Sequence, residues 1–353
     1  MKRTVSTITG EGQVALITEN LPEAGPNDIT IQVVASLMSP GTELMMLENR
    51  RANPNPEAKP EPFGYAVAGV ITHVPADMED LKLGQKVIGM GAGKALHADI
   101  VQVPRNLVVA IPEGVKMEEA VYACLGATAM QSVRRSEPEL GEYGLVLGLG
   151  IVGNLAAQLY QIAGARVVGW DGLKGRLDIA NQCGIYTAFD PFDEKTTQLT
   201  KEFASPYGFD FSLFAFGGNA TSAYQSVLSL MKESQDGHAM GKMVLVGGCQ
   251  VMVEGGAAGG NVDLRIASRT GAGYHDPEWE NGKEYPKVFV PFTTKRNLEE
   301  ILLLMSEGRL NVSPMTTHRL PLSQVAEAAE LLQTQPNDTL GIVLTQESSS
   351  CES

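Results

Sequence analysis

Three glycines and one carboxylate are the residues whose spacing speaks most directly of chemistry. Gly148, Gly150 and Gly153 stand in the run Gly148-Leu-Gly150-Ile151-Val152-Gly153, and Asp171 follows Gly150 by 21 residues. In that spacing each glycine serves a different end. One makes a tight turn, one leaves room for a pyrophosphate against the backbone of Gly150, Ile151 and Val152, and one lets a helix pack closely on a strand. The anion would rest on the helix N-terminus, where unpaired N–H groups and the dipole favour negative charge. Asp171 stands where a carboxylate accepts hydrogen bonds from the adenosine ribose hydroxyls. The bland alternative is a strand–helix–strand unit that binds no nucleotide.

The flanking residues supply the elements this motif needs. Tyr143–Leu147 reads as a buried strand, and Val152, Leu155, Ala156, Leu159, Ile162 and Ala163 form one stripe of a helix over 152–163, closed by Gly164. A second strand, Ala165–Trp170, delivers Asp171. From about residue 118 strands and helices alternate, the sign of a parallel sheet covered on both faces. Helices are expected at 118–134, Asp178–Cys183, Glu194–Phe203 and Ser222–Lys232, and buried strands at Phe209–Phe216 and Lys242–Gly247. Those two strands run into Phe216-Gly217-Gly218 and Val246-Gly247-Gly248, glycines that could admit the adenosine and nicotinamide ends of a dinucleotide or could simply turn the chain.

Before residue 115 the pattern differs. Short strands at Thr4–Thr9, Val14–Thr18, Ile29–Leu37, Tyr65–Val74, Lys86–Met90, Ile100–Val103 and Leu107–Ile111 suggest a small irregular β-barrel. Asn49–Pro62 is polar and proline-rich, and reads as a surface excursion rather than an element. Two amphipathic helices close the chain, Arg296–Glu307 and Ser323–Leu332 with Ser323 as N-cap, and His318–Pro321 between them reads as a short strand. The 254–260 segment is expected to be mobile, 271–286 to be a long irregular loop, and the tail 346–353 to be disordered.

Bulk properties narrow the partners. With 353 residues, 43% hydrophobic and 19% charged, the chain suits a globular protein of two domains, and it has neither an apolar run of membrane-spanning length nor a signal-peptide core. We expect a cytoplasmic location. A net charge of −14 disfavours nucleic acid and anionic membranes, leaving a small-molecule substrate or a second copy of the chain. Cys124, Cys183, Cys249 and Cys351 show no paired spacing, so neither a disulfide framework nor a structural zinc lobe is expected.

Several segments together resemble the medium-chain dehydrogenase/reductase superfamily over essentially the whole chain. Ser39-Pro-Gly-Thr-Glu43 is similar to its Cys-Gly-x-Asp segment. Pro62-Phe-Gly64-Tyr-Ala-Val-Ala-Gly69 is similar to its Gly-His-Glu segment, and Cys124–Thr128 to the stretch entering the cofactor domain. The resemblance implies an α/β fold, with a GroES-like irregular β-barrel catalytic domain over 1–120 and 290–353 and a Rossmann domain over 121–289. It also implies nicotinamide chemistry and a homodimer. The cofactor contacts would come from Thr128, Gly148, Gly150, Ile151, Val152, Gly153, Asp171, Arg176, Phe216, Gly217 and Gly247. Asp171 favours NAD, because a carboxylate repels a 2′-phosphate, while Lys174 and Arg176 keep NADP open.

The departures from the family pattern bear on the chemistry. Zinc-dependent members hold their metal with Cys, His and a third ligand; here Pro40 stands at the Cys position, Tyr65-Ala66 at His-Glu, and only Cys124 keeps a ligand-like place. Zinc needs three protein ligands and an open position, so the expectation is a zinc-free branch with no metal site. A hydride transfer at a carbinol still requires a proton acceptor. Tyr65, at the histidine position, is the first candidate, with a packed structural tyrosine as the alternative. Glu43 and Thr42 could orient substrate hydroxyls, or Glu43 could be a solvated turn residue. His275, the one histidine of the 271–286 loop, could shuttle protons, and His97 is a weaker candidate. His73 and His238 read as ordinary surface or barrel residues.

The 271–286 loop and Thr293–Leu298 resemble bi-domain oxidoreductases and, more loosely, bacteriochlorophyllide dehydrogenases. Three aromatics and four carboxylates in that loop suit a polyol rather than a large apolar ligand. The expected activity is an NAD-linked dehydrogenase acting on a secondary alcohol or ketone of a sugar, sugar derivative or cyclitol. Two alternatives stay open: a tightly held NAD used for redox-neutral epimerisation or elimination, and a nucleotide-binding relative without activity.

Overall fold

A computed structural model of the chain describes residues 1–253, 255–256 and 259–346. The expected mobile 254–260 segment, the 346–353 tail and Cys351 fall wholly or partly outside those residues. The chain separates into two compact units, Met1–Ala127 with the residues from Thr270 onward, and Thr128–Arg269. The 271–286 loop therefore belongs to the first unit and not, as its place in the sequence suggests, to the nucleotide-binding domain. Among the described residues no helix is long and apolar enough to cross a membrane.

The second unit is built on a six-stranded sheet in the order Ala188–Phe189, Arg166–Trp170, Tyr143–Leu147, Phe211–Phe214, Met240–Val246 and Asn261–Ala267. Every neighbouring pair is parallel. Counted along the chain, that order is third, second, first, fourth, fifth, sixth, so the winding reverses between Tyr143–Leu147 and Phe211–Phe214. A parallel sheet of this order offers its ligand crevice at that reversal, beyond the strands' C-terminal ends. Gly144 lets the two strands meet closely, since a Cβ there would lie 2.3 Å from the Phe211 ring. Leu145, Leu147, Val168, Phe209, Phe214, Val227 and Met243 close one apolar core. Asn261–Ala267, the outermost strand, has no counterpart among the expected elements; its alternation of polar and apolar residues leaves Leu264 and Ile266 exposed on an edge.

The first unit holds a three-stranded antiparallel sheet and a seven-stranded sheet. The latter runs Thr316–Pro321, Gly341–Thr345, Asp28–Met38, Ala66–His73, Lys86–Met90, Val108–Ala110, with Ile100–Pro104 added on Asp28–Met38. After Asp28–Met38 the chain forms a helix, Thr42–Ala52, where the sequence suggests a turn and then a surface excursion. Its start has no side-chain cap because Gly41 holds the capping position, which removes the usual signal. Glu43 in its first turn and Arg50 and Arg51 in its last complement the helix dipole, and the prolines begin only at Pro54, past its end.

Two other expectations need correction. The helix expected over 118–134 is two, Met117–Ala120 and Ala123–Ser136, broken where Tyr122 turns into the core and its hydroxyl meets Thr316 Oγ1 at 2.9 Å. The last helix is Val325–Thr334, entered through a 3-10 turn over Leu322–Gln324. Ser323 is therefore not its N-cap, which is Gln324 with no side-chain bond.

Candidate functional site

In the second unit the glycines do what their spacing demands. Gly148 has φ +88°, and a Cβ on it would lie 2.7 Å from the Ala215 carbonyl oxygen at the end of the adjacent strand. Gly153 packs its helix on the turn so tightly that a Cβ would stand 1.8 Å from the Gly148 carbonyl oxygen. Gly150 differs: around its Cβ position nothing comes nearer than the Arg176 guanidinium at 4.0 Å. Gly150 opens the helix Ile151–Ile162 with no side-chain cap, so the amides of its first turn face outward at a place with room for an anion. Ile151 buries its side chain and Val152 is half-buried, so both would meet a ligand through backbone.

Asp171 sits under this turn with a side chain 5% exposed. Its Oδ2 accepts from Leu149 N at 2.8 Å and its Oδ1 from Leu173 N at 2.9 Å, which ties the carboxylate to the backbone on both sides. Arg176 Nη1 lies 3.5 Å from the same Oδ2, and its buried Nε has no partner. The carboxylate's charge is thus partly balanced by a cation before any ligand arrives. Lys174 is exposed and pairs with Asp178 on its own helix. Gly217 and Gly247, with φ +79° at Gly247, border open space; Phe216 is half-buried against Phe214, and Thr128 is half-buried with its carbonyl engaged by Ser132. One residue that sequence reasoning misses stands here too. Phe192 is 85% exposed, and its ring lies against Gly172, where a Cβ would be only 2.8 Å away. No periodicity marks a lone aromatic in a turn.

The first unit gathers a different group. Glu43, 1% exposed at the start of the helix Thr42–Ala52, accepts from Ser39 N at 2.6 Å and meets His97 Nε2 at 3.1 Å. His97 is fully buried, with its other ring nitrogen 2.8 Å from Ser36 Oγ and its ring edge-on to Phe63 at 5.2 Å. Tyr65, half-buried, has the side chains of Ser39 and Thr42 as hydrogen-bonding neighbours of its hydroxyl. Burial, helped by the charge of nearby Glu43, pushes the Tyr65 phenol above its ordinary ionisation range against those two hydrogen bonds. It is a neutral phenol at physiological pH, able to donate one hydrogen bond and accept another.

Glu43 is therefore no solvated turn residue. The structure brings Tyr65, Thr42, Glu43 and His97 together, and adds Ser36 and Ser39, which nothing in the sequence singles out for chemistry. The pairing of Glu43 with His97 spans 54 positions, a distance over which no local pattern carries information.

His275 is placed otherwise. It is exposed, with φ +70°, its ring 3.9 Å from that of Tyr274 and its amide donating to Glu280 Oε1. The rest of the loop is occupied with itself. Asp276 caps the helix Pro277–Glu280 by accepting from the Glu278 and Trp279 amides, and also accepts from the Tyr285 hydroxyl. Trp279 is 1% exposed and stacks with Tyr285. Tyr274 Oη accepts from Ala92 N, and Asn106 donates to the Trp279 carbonyl and to Glu284. The aromatics and carboxylates expected to bind a sugar are largely consumed in fastening the loop to its own unit, because capping and stacking satisfy them locally.

Positions 40, 65 and 124 do not fit a zinc ion. Pro40 has no donor side chain and Tyr65 is a neutral phenol. Burial pushes the Cys124 thiol up to about 12, and it points at the Gly89 carbonyl oxygen at 3.6 Å. Zinc takes thiolate, imidazole or carboxylate, three at a time. Among the described residues no three His, Cys, Asp or Glu side chains are grouped to hold a metal.

Comparison with known proteins agrees with this architecture. No family model matches the chain. It is 27% identical over 255 residues to an L-threonine 3-dehydrogenase of Chelativorans sp. (strain BNC1), covering 64% of this chain and 71% of the relative. It is 30% identical over 150 residues to a D-guloside 3-dehydrogenase of Escherichia coli (strain K12), a match that spans 42% of each protein. Among solved structures, an alcohol dehydrogenase from E. coli CFT073 complexed with cofactor NADH superimposes with a TM-score of 0.75 at 17% identity, over 98% of this chain and 99% of that one. The fold is the same mixed α/β architecture.

Proposed function

We propose that this chain, an oxidoreductase of the medium-chain dehydrogenase/reductase superfamily, moves a hydride between NAD and a secondary alcohol or ketone of a sugar, sugar derivative or cyclitol, and does so without zinc. The observation that carries the reading is the polar group of Ser39, Thr42 and Glu43 gathered around Tyr65, which stands where zinc-dependent members of the superfamily keep a histidine ligand. Bound nicotinamide supplies the hydride acceptor or donor. The remaining work is proton handling and orientation, and side chains of this chain can do both. Tyr65 Oη accepts the proton of the substrate hydroxyl as its own proton passes inward along its hydrogen bonds. In the reverse direction it donates to the forming alkoxide. Thr42, exposed beside it, orients a neighbouring hydroxyl.

In the second unit Gly148, Gly150 and Gly153 shape the turn that would cradle the pyrophosphate. Ile151 and Val152 present amides to it, and Asp171 meets the ribose hydroxyls. Phe216, Gly217 and Gly247 would border the remainder, with Thr128 at the start of the unit. A polyhydroxylated substrate is supported by the guloside dehydrogenase relative and not by the 271–286 loop. One observation favours a second cofactor reading: Arg176 lies beside Asp171 with an unused donor, so that a 2′-phosphate would meet a cation as well as a carboxylate. We also retain a homodimer as part of the proposal.

The test is a panel of methyl glycosides, hexoses, myo-inositol and sorbitol, each with NAD and with NADP, followed by reduced-nicotinamide absorbance. Reduction of NAD by at least one polyol, faster than of NADP, is the expected result. No reduction with any of them, despite NADH binding, would overturn the assignment.

A further inference from the structure

The polar group of the first unit continues inward from Tyr65 into the interior of the unit. From Thr42 and the half-buried Tyr65 it runs to Ser39, Glu43, His97 and Ser36, which are 4%, 1%, 0% and 2% exposed. The links are Ser39 N to Glu43 Oε2 at 2.6 Å, Glu43 Oε1 to His97 Nε2 at 3.1 Å, and His97 Nδ1 to Ser36 Oγ at 2.8 Å. The far end is closed by the buried Ser36, and the near end opens at Tyr65.

Burying a carboxylate so completely is costly unless it is paired or serves a purpose. Among the described residues the only ionic partner of Glu43 is His97; no lysine or arginine meets it. A glutamine of the same shape would satisfy Ser39 N without bringing a charge into the interior. What glutamine could not do is take up a proton. The titratable groups that face this position are Tyr65 ahead of the strand Ala66–His73, His97 on the 95–99 segment, and Cys124 on the helix Ala123–Ser136.

We propose that Glu43 is the terminal proton acceptor of the reaction and that His97, fixed by Ser36, is the positioning residue that keeps the Glu43 carboxylate turned to receive. The proposal rests on the reading of Tyr65 as the group that meets the substrate hydroxyl. In the oxidative direction the substrate O–H bond breaks and its proton joins Tyr65 Oη. The Tyr65 proton passes inward to a carboxylate oxygen of Glu43, which stands near enough for its charge to act on the phenol. The carbinol C–H bond breaks with its electron pair, which leaves as hydride to the nicotinamide ring, and the carbonyl forms. The sum is alcohol, NAD+ and Glu43 carboxylate going to ketone, NADH and Glu43 carboxylic acid. The proton is stored inside the unit during the chemical step instead of passing directly to bulk water.

The test uses the full-length chain as wild type, Glu43→Gln, His97→Leu and His97→Gln. Each is assayed with the methyl glycoside, hexose and cyclitol panel for kcat and KM between pH 5 and pH 10, in H2O and in D2O, with NADH affinity and Tm measured alongside. Glu43→Gln is close to isosteric and removes a buried charge, so it is expected to fold at least as stably as wild type and to bind NADH equally. Its kcat should fall by about 100-fold or more, within the range lost with a proton-transfer group. His97→Leu should lose most of kcat, and His97→Gln, which restores a donor toward Glu43, should recover most of that loss with KM unchanged. Glu43→Gln with kcat within threefold of wild type would overturn the proposal. So would equal losses in the two His97 variants with the pH profile and solvent isotope effect unmoved. If the wild type itself reduces NAD with no polyol, the reading of the reaction fails and the proposal falls with it.

Discussion

The glycine turn of the second unit and the buried polar group of the first are opposite solutions to holding charge. Around Gly150 the chain withholds side chains, so that a ligand's phosphate can reach backbone amides and open space. Around Glu43 the chain supplies its own charge and encloses it with Ser39 and His97. The first arrangement works through vacancy and tolerates no added atom at Gly153. The second works through occupancy, and the identity of each atom decides its chemistry. Substitutions that separate cofactor binding from turnover therefore probe the two halves one at a time.

The largest effect belongs to Gly153→Val. A Cβ at 1.8 Å from the Gly148 carbonyl oxygen forces helix and strand apart, and overpacking of this kind costs about 3 kcal/mol. NADH titration followed by protein fluorescence should show affinity lost by about 100-fold or more, with Tm lowered by roughly 10 °C; retention of both would break the account of the turn. Next comes Tyr65→Phe, which removes only the hydroxyl. Its kcat should fall by about 100-fold while NADH affinity stays within twofold. Because the Tyr65 phenol ionises above its ordinary value near 10, no limb of the wild-type pH profile below about pH 10 belongs to it. Loss of NADH affinity in this variant would merge the two halves that the comparison keeps apart.

Asp171→Asn is milder. It leaves an acceptor for only one of Leu149 N and Leu173 N, which donate to different carboxylate oxygens, and removes the charge next to Arg176. NADH affinity should fall by about tenfold, the worth of a charge-assisted hydrogen bond, with NADPH affinity unchanged or higher. Parallel losses for the two cofactors would remove Asp171 from the choice between them. The smallest effect is expected at Lys174→Ala. Its exposed amine pairs with Asp178, a contact of little energetic worth, so both affinities should stay within about twofold. A selective loss of NADPH would instead make Lys174 a phosphate contact.

The second unit is legible in the sequence because its determinants are local. The glycines, the stripe of the helix Ile151–Ile162 and the position of Asp171 all lie within one strand–helix–strand segment, and the parallel sheet follows from the alternation of elements. The Thr42–Ala52 helix is hidden because Gly41 cannot signal a cap and the prolines after it suggest a loop. The Glu43–His97 contact is hidden for a deeper reason: two strands and a long excursion must fold before those side chains meet. The 271–286 loop misleads in the opposite sense. Its composition of aromatics and acids suits a carbohydrate, but composition does not reveal that Asp276 is spent on a cap and Trp279 on the core. Phe192 shows the same limit, since nothing beside it in sequence marks it as a neighbour of Gly172.

Zinc content and turnover, measured on the same sample before and after exhaustive treatment with a chelator, test the central claim most directly. The account predicts substoichiometric zinc and a polyol-dependent kcat that chelation leaves unchanged. One equivalent of zinc per chain, with activity lost on its removal and restored when zinc is returned, would contradict it.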